Sequence, residues 1–211
     1  MYKRNLLTIF FTLSFFLIQS QEIEGLWMKV RNPDVLPIGS PLVQIVQFSK
    51  DSMLIYDFDK LVEKYPISRK NGKLQVNDTL SAEYSISNNE LILKMDDNPK
   101  ARAKLVKLEP TKDTLNLCDS IESFEYEVQL NGYKNKLIFG RDLQHQEVIY
   151  IEKNMVIANR LAINKWKAIY FLSFYLNEHR VYAFPIKEIN PDSFLLYGIP
   201  GEEYEVIVKR I

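Results

Sequence analysis

Ile23-Glu24-Gly25-Leu26-Trp27 begins the first stretch of the chain that has the pattern of a β-strand. Gly25 allows another backbone to approach closely. Trp27 is a large apolar side chain whose indole N–H needs a hydrogen-bond partner when it is buried. Two interpretations follow. Either Gly25 and Trp27 have specific roles, as a site of close backbone approach and a large buried plug, or they are an ordinary strand start with a Gly and a buried Trp.

The residues before this stretch have the layout of a secretory signal peptide. A short basic segment, Lys3-Arg4, precedes the apolar run Leu6–Ile18, and the polar break that follows contains Ser20 as a small residue for cleavage. The run is too short to span a bilayer comfortably, so an uncleaved anchor is the less favoured alternative. We predict a cleaved signal peptide over residues 1–20 and a secreted or periplasmic protein with no stable membrane anchor after cleavage.

The composition of the chain is that of a globular protein with a balanced charge. Of 211 residues, 46% are hydrophobic and 26% charged, and the 27 basic residues match the 27 acidic ones. Such a chain has no strong positive field, so we expect no nucleic acid partner. Cys118 is the single cysteine, which excludes an intramolecular disulfide and predicts a fold held by its core alone. We interpret Cys118 as a buried bystander thiol.

Short runs with period-two alternation follow one another after the signal peptide, and no segment has a convincing helical period. Glu90–Met95, Ser123–Leu130 and Glu203–Lys209 each place apolar residues on one face and mostly polar residues on the other. Alternation of this kind puts one face on a core and the other in water. Turn clusters separate the runs at roughly ten- or twenty-residue intervals: Ser49–Ser52, Asn71-Gly72, Asn88-Asn89, Asp96–Pro99, Asn131-Gly132 and Asn190–Asp192.

We therefore predict an all-β fold, built as an antiparallel up-and-down meander, with one continuous sheet system. Residues 21–211 are predicted to form a single all-β domain. The segment 110–113 is the one candidate for a subdivision, because it separates a first half with polar strand edges from a second half that is richer in aromatic residues.

Trp166–Leu176 is predicted to be a strand that is apolar on both faces. Such a strand must be covered twice, by a core on one side and by a loop, a second sheet, a subunit or a ligand on the other. A buried helix is the competing interpretation, since periodicity alone does not separate the two. The turn at Asn177–His179, followed by the apolar run Val181–Ile186, favours a hairpin.

The pattern Ile23-x-Gly25-x-Trp27, followed by hairpins, resembles the start of the lipocalin-like (calycin) β-barrels. In that superfamily the Gly-x-Trp opens the first strand, the Trp closes one end of the barrel, and a basic side chain from near the last strand packs over it. The resemblance implies structural roles for Gly25, Trp27 and either Arg210 or Lys209. It implies a lipocalin-like barrel or a related sheet architecture.

The sequence offers no convincing catalytic or metal-binding motif. Neither His145 nor His179 has a second ligand at metal spacing, so we interpret both as solvated surface residues. The acidic pairs in Asp57–Asp59 and Asp96-Asp97 are placed where turns favour Asp, and neither continues into a calcium loop. We expect no enzyme activity, no metal and no cofactor.

The leading hypothesis for function is non-covalent binding of a small hydrophobic ligand by an exported, soluble β-barrel-like protein. The alternative is an extracytoplasmic interaction module that pairs with a protein partner or a second copy. In a barrel, either Tyr170 with Phe174 or Phe171 with Tyr175 would face the interior, and otherwise the rings simply fill a core. The predicted ligand-binding residues are those of the most aromatic stretch of the chain: Tyr170, Phe171, Phe174, Tyr175, Tyr182 and Phe184.

Overall fold

The computed structural model describes residues 23–30, 44–70, 72–77, 80–96, 102–130, 133–139, 147–151, 154–197 and 205–211. The predicted signal peptide and His145 lie outside these ranges. No helix in the described part of the chain has the length and apolar content that crossing a membrane requires.

The first half of the chain forms a closed antiparallel barrel of eight strands in sequence order. The barrel closes where β1 pairs with β8, with Trp27 opposite Lys107 and Met28 opposite Val106. The all-β, up-and-down prediction is confirmed, and the closed barrel is consistent with a lipocalin-like architecture. The strands are β1 (Gly25–Val30), β2 (Gln44–Phe48), β3 (Ser52–Asp57), β4 (Lys60–Lys70), β5 (Lys73–Val76), β6 (Leu80–Ser87), β7 (Glu90–Met95) and β8 (Arg102–Leu108).

The barrel has two ends, which we name by their residues. The Trp27 end contains the start of β1 and the hairpin turn Asn88-Asn89. The far end contains the end of β1 at Val30 and the hairpin turn Phe58-Asp59 between β3 and β4. Asn88 and Asn89 have φ angles of 49° and 63°, the left-handed region that Asn tolerates and that tight hairpins require.

The described residues of the second half form a seven-stranded antiparallel sheet, a separate two-stranded sheet and one short helix. The strand order of the larger sheet is β10-β9-β17-β16-β15-β14-β13, so β10 and β13 are its edges. The elements are α1 (Cys118–Ile121), β9 (Glu125–Leu130), β10 (Tyr133–Ile138), β11 (Glu147–Ile151), β12 (Asn154–Ala158), β13 (Arg160–Trp166), β14 (Ile169–Leu176), β15 (His179–Asn190), β16 (Ser193–Leu196) and β17 (Val206–Arg210).

The prediction of one continuous sheet system is wrong, because the strands that the structure describes belong to three sheets. The segment 110–113 lies in the connection between β8 and α1. This connection is hydrogen-bonded to the larger sheet: the Thr111 hydroxyl donates to the carbonyl oxygen of Ile186 at 2.7 Å and accepts the backbone N–H of Tyr170 at 2.9 Å. Closure explains the separation, since every barrel strand already has two neighbours and no edge remains for the second half to extend.

The helix α1, a single turn, was also not predicted from the sequence. The carboxylate of Asp113 accepts the backbone N–H groups of Leu117 and Cys118 at 2.8 and 2.9 Å, next to the start of the helix. A helix of four residues is too short for a periodic pattern, so hydrophobic periodicity gives no signal for it.

Three clusters of buried residues make up the core. One fills the barrel and includes Trp27, Leu74 and Leu105. A second lies on one face of the seven-stranded sheet. The third joins the two halves, because Met28 and Ile45 on the outer wall of the barrel pack against Phe171 and Ala183 on the opposite face of the sheet.

The double coverage of β14 is therefore confirmed. Leu172 and Phe174 face the sheet core, whereas Ile169 and Phe171 face the outer wall of the barrel. The hairpin interpretation is also confirmed, since β14 and β15 flank the turn at Asn177 and Glu178.

The predicted start of this strand at Trp166 is wrong. Trp166 ends β13, and a hairpin turn at Lys167-Ala168 separates it from β14. Both turn residues are left-handed, with φ angles of 47° and 63°. Such turns usually contain Gly or Asn, and this one contains Lys and Ala. The turn therefore could not be predicted from the sequence.

Candidate functional site

The Trp27 end of the barrel is closed by the side chains of Trp27, Glu24 and Arg69. Trp27 is 0% exposed, and its indole N–H donates to the carbonyl oxygen of Ile23 at 2.7 Å, which satisfies its one polar group. Arg69, which faces inward from β4, donates to the Glu24 carboxylate at 2.8 Å and to the Lys50 carbonyl oxygen in the β2–β3 turn at 3.0 Å. These contacts seal that end of the barrel.

The basic residue over Trp27 is Lys107, whose ammonium nitrogen lies 5.8 Å from the ring centroid. Gly25 has a φ of +122°, a conformation that side chains other than glycine rarely adopt, and a Cβ there would lie 3.6 Å from Cε of Lys107. Gly25 is therefore required for its backbone conformation rather than for space, and the lysine chain crosses directly over it.

The implied role of Arg210 is not the one that the structure gives it. Its guanidinium lies 3.3 Å from the ring centroid of Phe124, and its strand β17 pairs with β9 and β16 of the larger sheet. Lys209 is exposed and pairs with Ser193 and Glu127. The cation over Trp27 thus comes from the last strand of the barrel, not from the last strand of the chain.

The inner wall of the barrel changes character between its ends on three adjacent strands, β7, β8 and β1, but not on β5 and β6, where Val76 and Ala82 toward the far end are buried. On the adjacent strands β7, β8 and β1, inward residues near the Trp27 end are 0–2% exposed: Leu91, Leu105 and Trp27. The next inward positions toward the far end keep solvent exposure, and these are Leu93 and Met95 on β7, Ala103 on β8 and Lys29 on β1. Their inward orientation follows from the register, in which Leu93 pairs with Ala103 and Lys29 with Leu105.

Two polar groups face inward from β4 toward the far end. Tyr65 pairs with Met53 and Glu63 with Ile55, so both belong to the inner face. The Tyr65 hydroxyl donates to the Glu63 carboxylate at 2.6 Å, and this hydrogen bond raises the pKa of Tyr65. The inner wall at the far end is therefore mostly apolar, with a lysine, a tyrosine and a carboxylate at its margin.

The six predicted ligand-binding residues are not in the barrel, because β14 and β15 belong to the seven-stranded sheet. Four of them share the core of that sheet: Tyr170, Phe174, Tyr182 and Phe184. Phe184 packs edge-on against Phe174 at 5.5 Å and stacks with Tyr182 at 5.9 Å between centroids. The expectation that alternate residues of these strands face a barrel interior is wrong.

Phe171 and Tyr175 lie on the other face of the sheet, toward the barrel. The ring of Phe58, from the turn at the far end of the barrel, packs edge-on against Phe171 at 4.6 Å between centroids. Tyr175 lies close to two guanidiniums, with the carbon of Arg160 4.2 Å and that of Arg180 5.5 Å from its ring centroid.

Hydrogen bonds fix the Tyr175 side chain. Its hydroxyl donates to Asn164 Oδ1 at 2.6 Å and accepts the Nε and Nη2 groups of Arg180 at 3.2 and 3.1 Å. Arg180 also lies 3.7 Å from the ring centroid of Phe58 and contacts the Asp59 carboxylate at 3.4 Å. One turn of the barrel is thus held by the sheet.

The reverse contact also exists, since the Lys167-Ala168 turn of the sheet is held by the barrel. The Lys167 ammonium lies 4.7 Å from the ring centroids of both Tyr56 and Trp166. It also donates to Gln47 Oε1 on β2. The two halves therefore hold each other through one hairpin turn each.

The remaining candidate groups are structural or solvated. Burial raises the pKa of the Cys118 thiol to about 11, in agreement with a bystander thiol. His179 is exposed, as predicted. Asp59 and Asp96 form ion pairs with Arg180 and Lys73. Within the described ranges, no three His, Cys, Asp or Glu side chains are grouped so that they could hold a metal ion.

Three features were not predicted from the sequence: the contact of Phe58 with the sheet, the position of Lys107 over Trp27, and the solvent exposure of the inner wall at the far end. Leu93 and Met95 were predicted to face inward, but alternation alone does not show that these two inward side chains keep solvent exposure while Leu91 does not. The role of Phe58 could not be predicted from the sequence. Its position in the two-residue turn has a φ of 55°, and Gly or Asn, not a bulky residue, is expected there.

Comparison of the chain with protein-family models, with curated proteins and with solved structures finds no match.

Proposed function

We propose that the barrel binds a small apolar ligand non-covalently, through the end opposite Trp27. The observation that carries the proposal is the gradient along the inner wall of β7, β8 and β1. Apolar side chains are fully buried beside Trp27 and remain accessible to solvent, although they face inward, toward the far end. A concave, mostly apolar wall with a few polar groups is the usual character of a small-molecule site.

The polar groups at the far end suggest which ligands would fit. Lys29 faces inward and is exposed, so it is available to a negatively charged ligand end. Glu63 is engaged with the Tyr65 hydroxyl. We therefore favour a ligand with an apolar body and one anionic end, held without catalysis.

We also propose that the protein is exported. The N-terminal basic segment, apolar run and polar break would direct the chain out of the cytoplasm before cleavage near Ser20. A protein that binds an apolar molecule outside the cytoplasm would act as a carrier or a scavenger.

The experiment that tests the proposal is mass spectrometry of an organic extract from the purified protein, followed by titration with an anionic apolar dye such as anilinonaphthalene sulfonate. We expect a co-purifying small molecule and saturable dye binding to one site. A clean extract together with the absence of saturable dye binding would reject the carrier function.

The alternative function, an extracytoplasmic interaction module, is favoured by one observation. Leu61 and Val62 are adjacent on β4 and are 49% and 55% exposed, in a segment, 60–64, whose residues are all exposed. Adjacent exposed apolar residues on a strand are a common feature of contact surfaces. A dimer on size-exclusion chromatography that is lost with Leu61→Lys, combined with a clean extract, would favour this alternative.

A further inference from the structure

Phe58 packs against the seven-stranded sheet from the barrel, and its backbone conformation is unfavourable. The side chain is 5% exposed, although it lies in a two-residue hairpin turn. Its φ of 55° is in the left-handed region, where a bulky residue is an outlier and Gly or Asn would be expected. The turn therefore places a strained aromatic residue in a buried position.

The face of β14 that packs against Phe58 through Phe171 also carries a buried hydroxyl without a partner. Ser173 is 0% exposed, and no hydrogen-bond partner for its Oγ is found in the described part of the protein. Its neighbours across the sheet are Ala162 on β13 and Ala183 on β15. Buried hydroxyl groups nearly always have a partner, so this one indicates a missing acceptor or donor.

The contacts of Phe58 are with residues on either side of Ser173 along the sheet. Phe171, with its ring centroid 4.6 Å away, precedes Ser173 by two residues on the same face of β14. Arg180, with its guanidinium 3.7 Å away, is opposite Tyr175, which follows Ser173 by two residues. Ala183 belongs to the same buried cluster as Phe58 and Phe171. We call this surface, formed by Phe171, Ser173, Ala183 and Arg180, the Phe58 slot.

We propose that the Phe58 slot is a second binding site, specific for a small aromatic molecule with one hydroxyl group, and that Phe58 occupies it when no ligand is bound. A phenol would keep the edge-on contact with Phe171 and the cation–π contact with Arg180. Unlike Phe58, it would bring a hydroxyl that can pair with Ser173. Its binding would also release the left-handed strain of the turn. The site is separate from the barrel interior and does not rest on the proposed ligand there.

The test uses Phe58→Gly, because glycine suits the positive φ and leaves the turn unstrained while emptying the slot. Binding of phenol and of toluene is compared by calorimetry and by the shift in thermal midpoint. We expect phenol to bind about fivefold more tightly than toluene, the ratio that corresponds to one net hydrogen bond. The double variant Phe58→Gly/Ser173→Ala should lose this preference. The wild type should bind phenol more weakly than the single variant does.

Controls separate the slot from a general effect of removing a ring. Phe48→Ala empties a buried position in the barrel core, and there we expect no preference for phenol. Phe58→Asn, which also tolerates a positive φ, replaces the Gly variant if that variant does not fold. In the wild type, saturating phenol should speed hydrogen exchange of the backbone amides at Phe58, Asp59 and Lys60.

Three results would overturn the proposal. The first is that Phe58→Gly, with Ser173 present, binds phenol no more tightly than toluene. The second is an unchanged phenol preference after Ser173→Ala. The third is unaltered exchange at residues 58–60 of the wild type under saturating phenol, which would show that Phe58 is a fixed part of the core.

Discussion

Lys107 lies directly opposite Trp27 across the β1–β8 pairing that closes the barrel, with its ammonium nitrogen 5.8 Å from the centroid of the indole ring. The two residues connect the first and last strands of the barrel by side chains as well as by backbone hydrogen bonds. A cation over a Trp ring contributes about 0.5–1 kcal/mol at a partly exposed site. Burial of the indole itself contributes considerably more.

Replacing Trp27 with Ala should lower the free energy of unfolding by about 3–5 kcal/mol, because a fully buried ring is removed and the surrounding core relaxes only in part. Urea denaturation followed by circular dichroism measures this. Trp166→Ala is a suitable comparison, since that ring is only half-buried and should cost less. An unchanged urea midpoint for Trp27→Ala would mean that the Gly-x-Trp pattern has no structural role.

Lys107→Met should shift the fluorescence of Trp27, whereas Arg210→Met should leave it unchanged. The reason is that Arg210 lies over Phe124, on a strand of the other sheet. Both variants are made in a Trp166→Phe background, so that Trp27 is the single emitter. A shift with Arg210→Met and none with Lys107→Met would contradict the assignment.

Leu93→Gln should weaken binding of the anionic dye about tenfold, whereas Ile92→Gln should leave the affinity unchanged. The two residues are neighbours on β7 and both are half-buried, but Leu93 faces the barrel interior and Ile92 faces outward. Placing an amide against an apolar ligand costs about 1–3 kcal/mol. Equal affinities for the two variants would exclude the inner wall of the barrel as the dye site.

Cys118 should react slowly with iodoacetamide in the folded protein at pH 8, because burial raises its pKa to about 11 and keeps the thiol protonated. Since the unfolded thiol ionises near its ordinary pKa of 9.0, the stability linked to this group is complete below pH 9 and falls between pH 9 and 11. Alkylation rates with and without urea measure the effect. Fast labelling of the folded state at pH 8 would show a reactive cysteine.

N-terminal sequencing of protein recovered outside the cytoplasm should begin within a few residues of Gln21, because the leader has a basic segment, an apolar run and a polar cleavage region. Lys3→Glu/Arg4→Glu, which reverses the basic segment, is the control and should reduce export. Recovery of a mature protein that starts at Met1 would rule out cleavage.

The regular parts of the fold were predictable from sequence because they rest on local patterns. Leu91 and Leu93 face the barrel core as their alternation indicates, and Asn88-Asn89 forms the expected hairpin turn. Turns without such residues were not predictable. Lys167 and Ala168 adopt the same left-handed conformation, and they are held by contacts between Lys167 and residues of the distant strands β2 and β3.

The assignment of strands to sheets was also beyond the sequence. The aromatic residues of β14 have the pattern of a ligand-binding wall, but the same pattern arises when a strand is covered by a barrel on one face and by its own core on the other. The sequence does not distinguish Arg210 from Lys107, because each is a basic residue near the end of a strand. Only the pairing of β1 with β8 shows which of them reaches Trp27.

The edge strand β13 is partly protected against pairing with another chain by a side chain of the same protein. The backbone N–H of Ile163 donates to the Glu122 carboxylate at 2.6 Å, so this donor is already used when another molecule approaches the edge. At the opposite edge, Lys134 and Lys136 on β10 carry charges that a foreign strand would have to desolvate. Barrel closure removes the hazard in the first half of the chain, and a carboxylate cap and paired lysines reduce it in the second. In a crowded environment, the second half is therefore the part in which loss of one of these side chains would leave a sheet edge open to pairing with another chain.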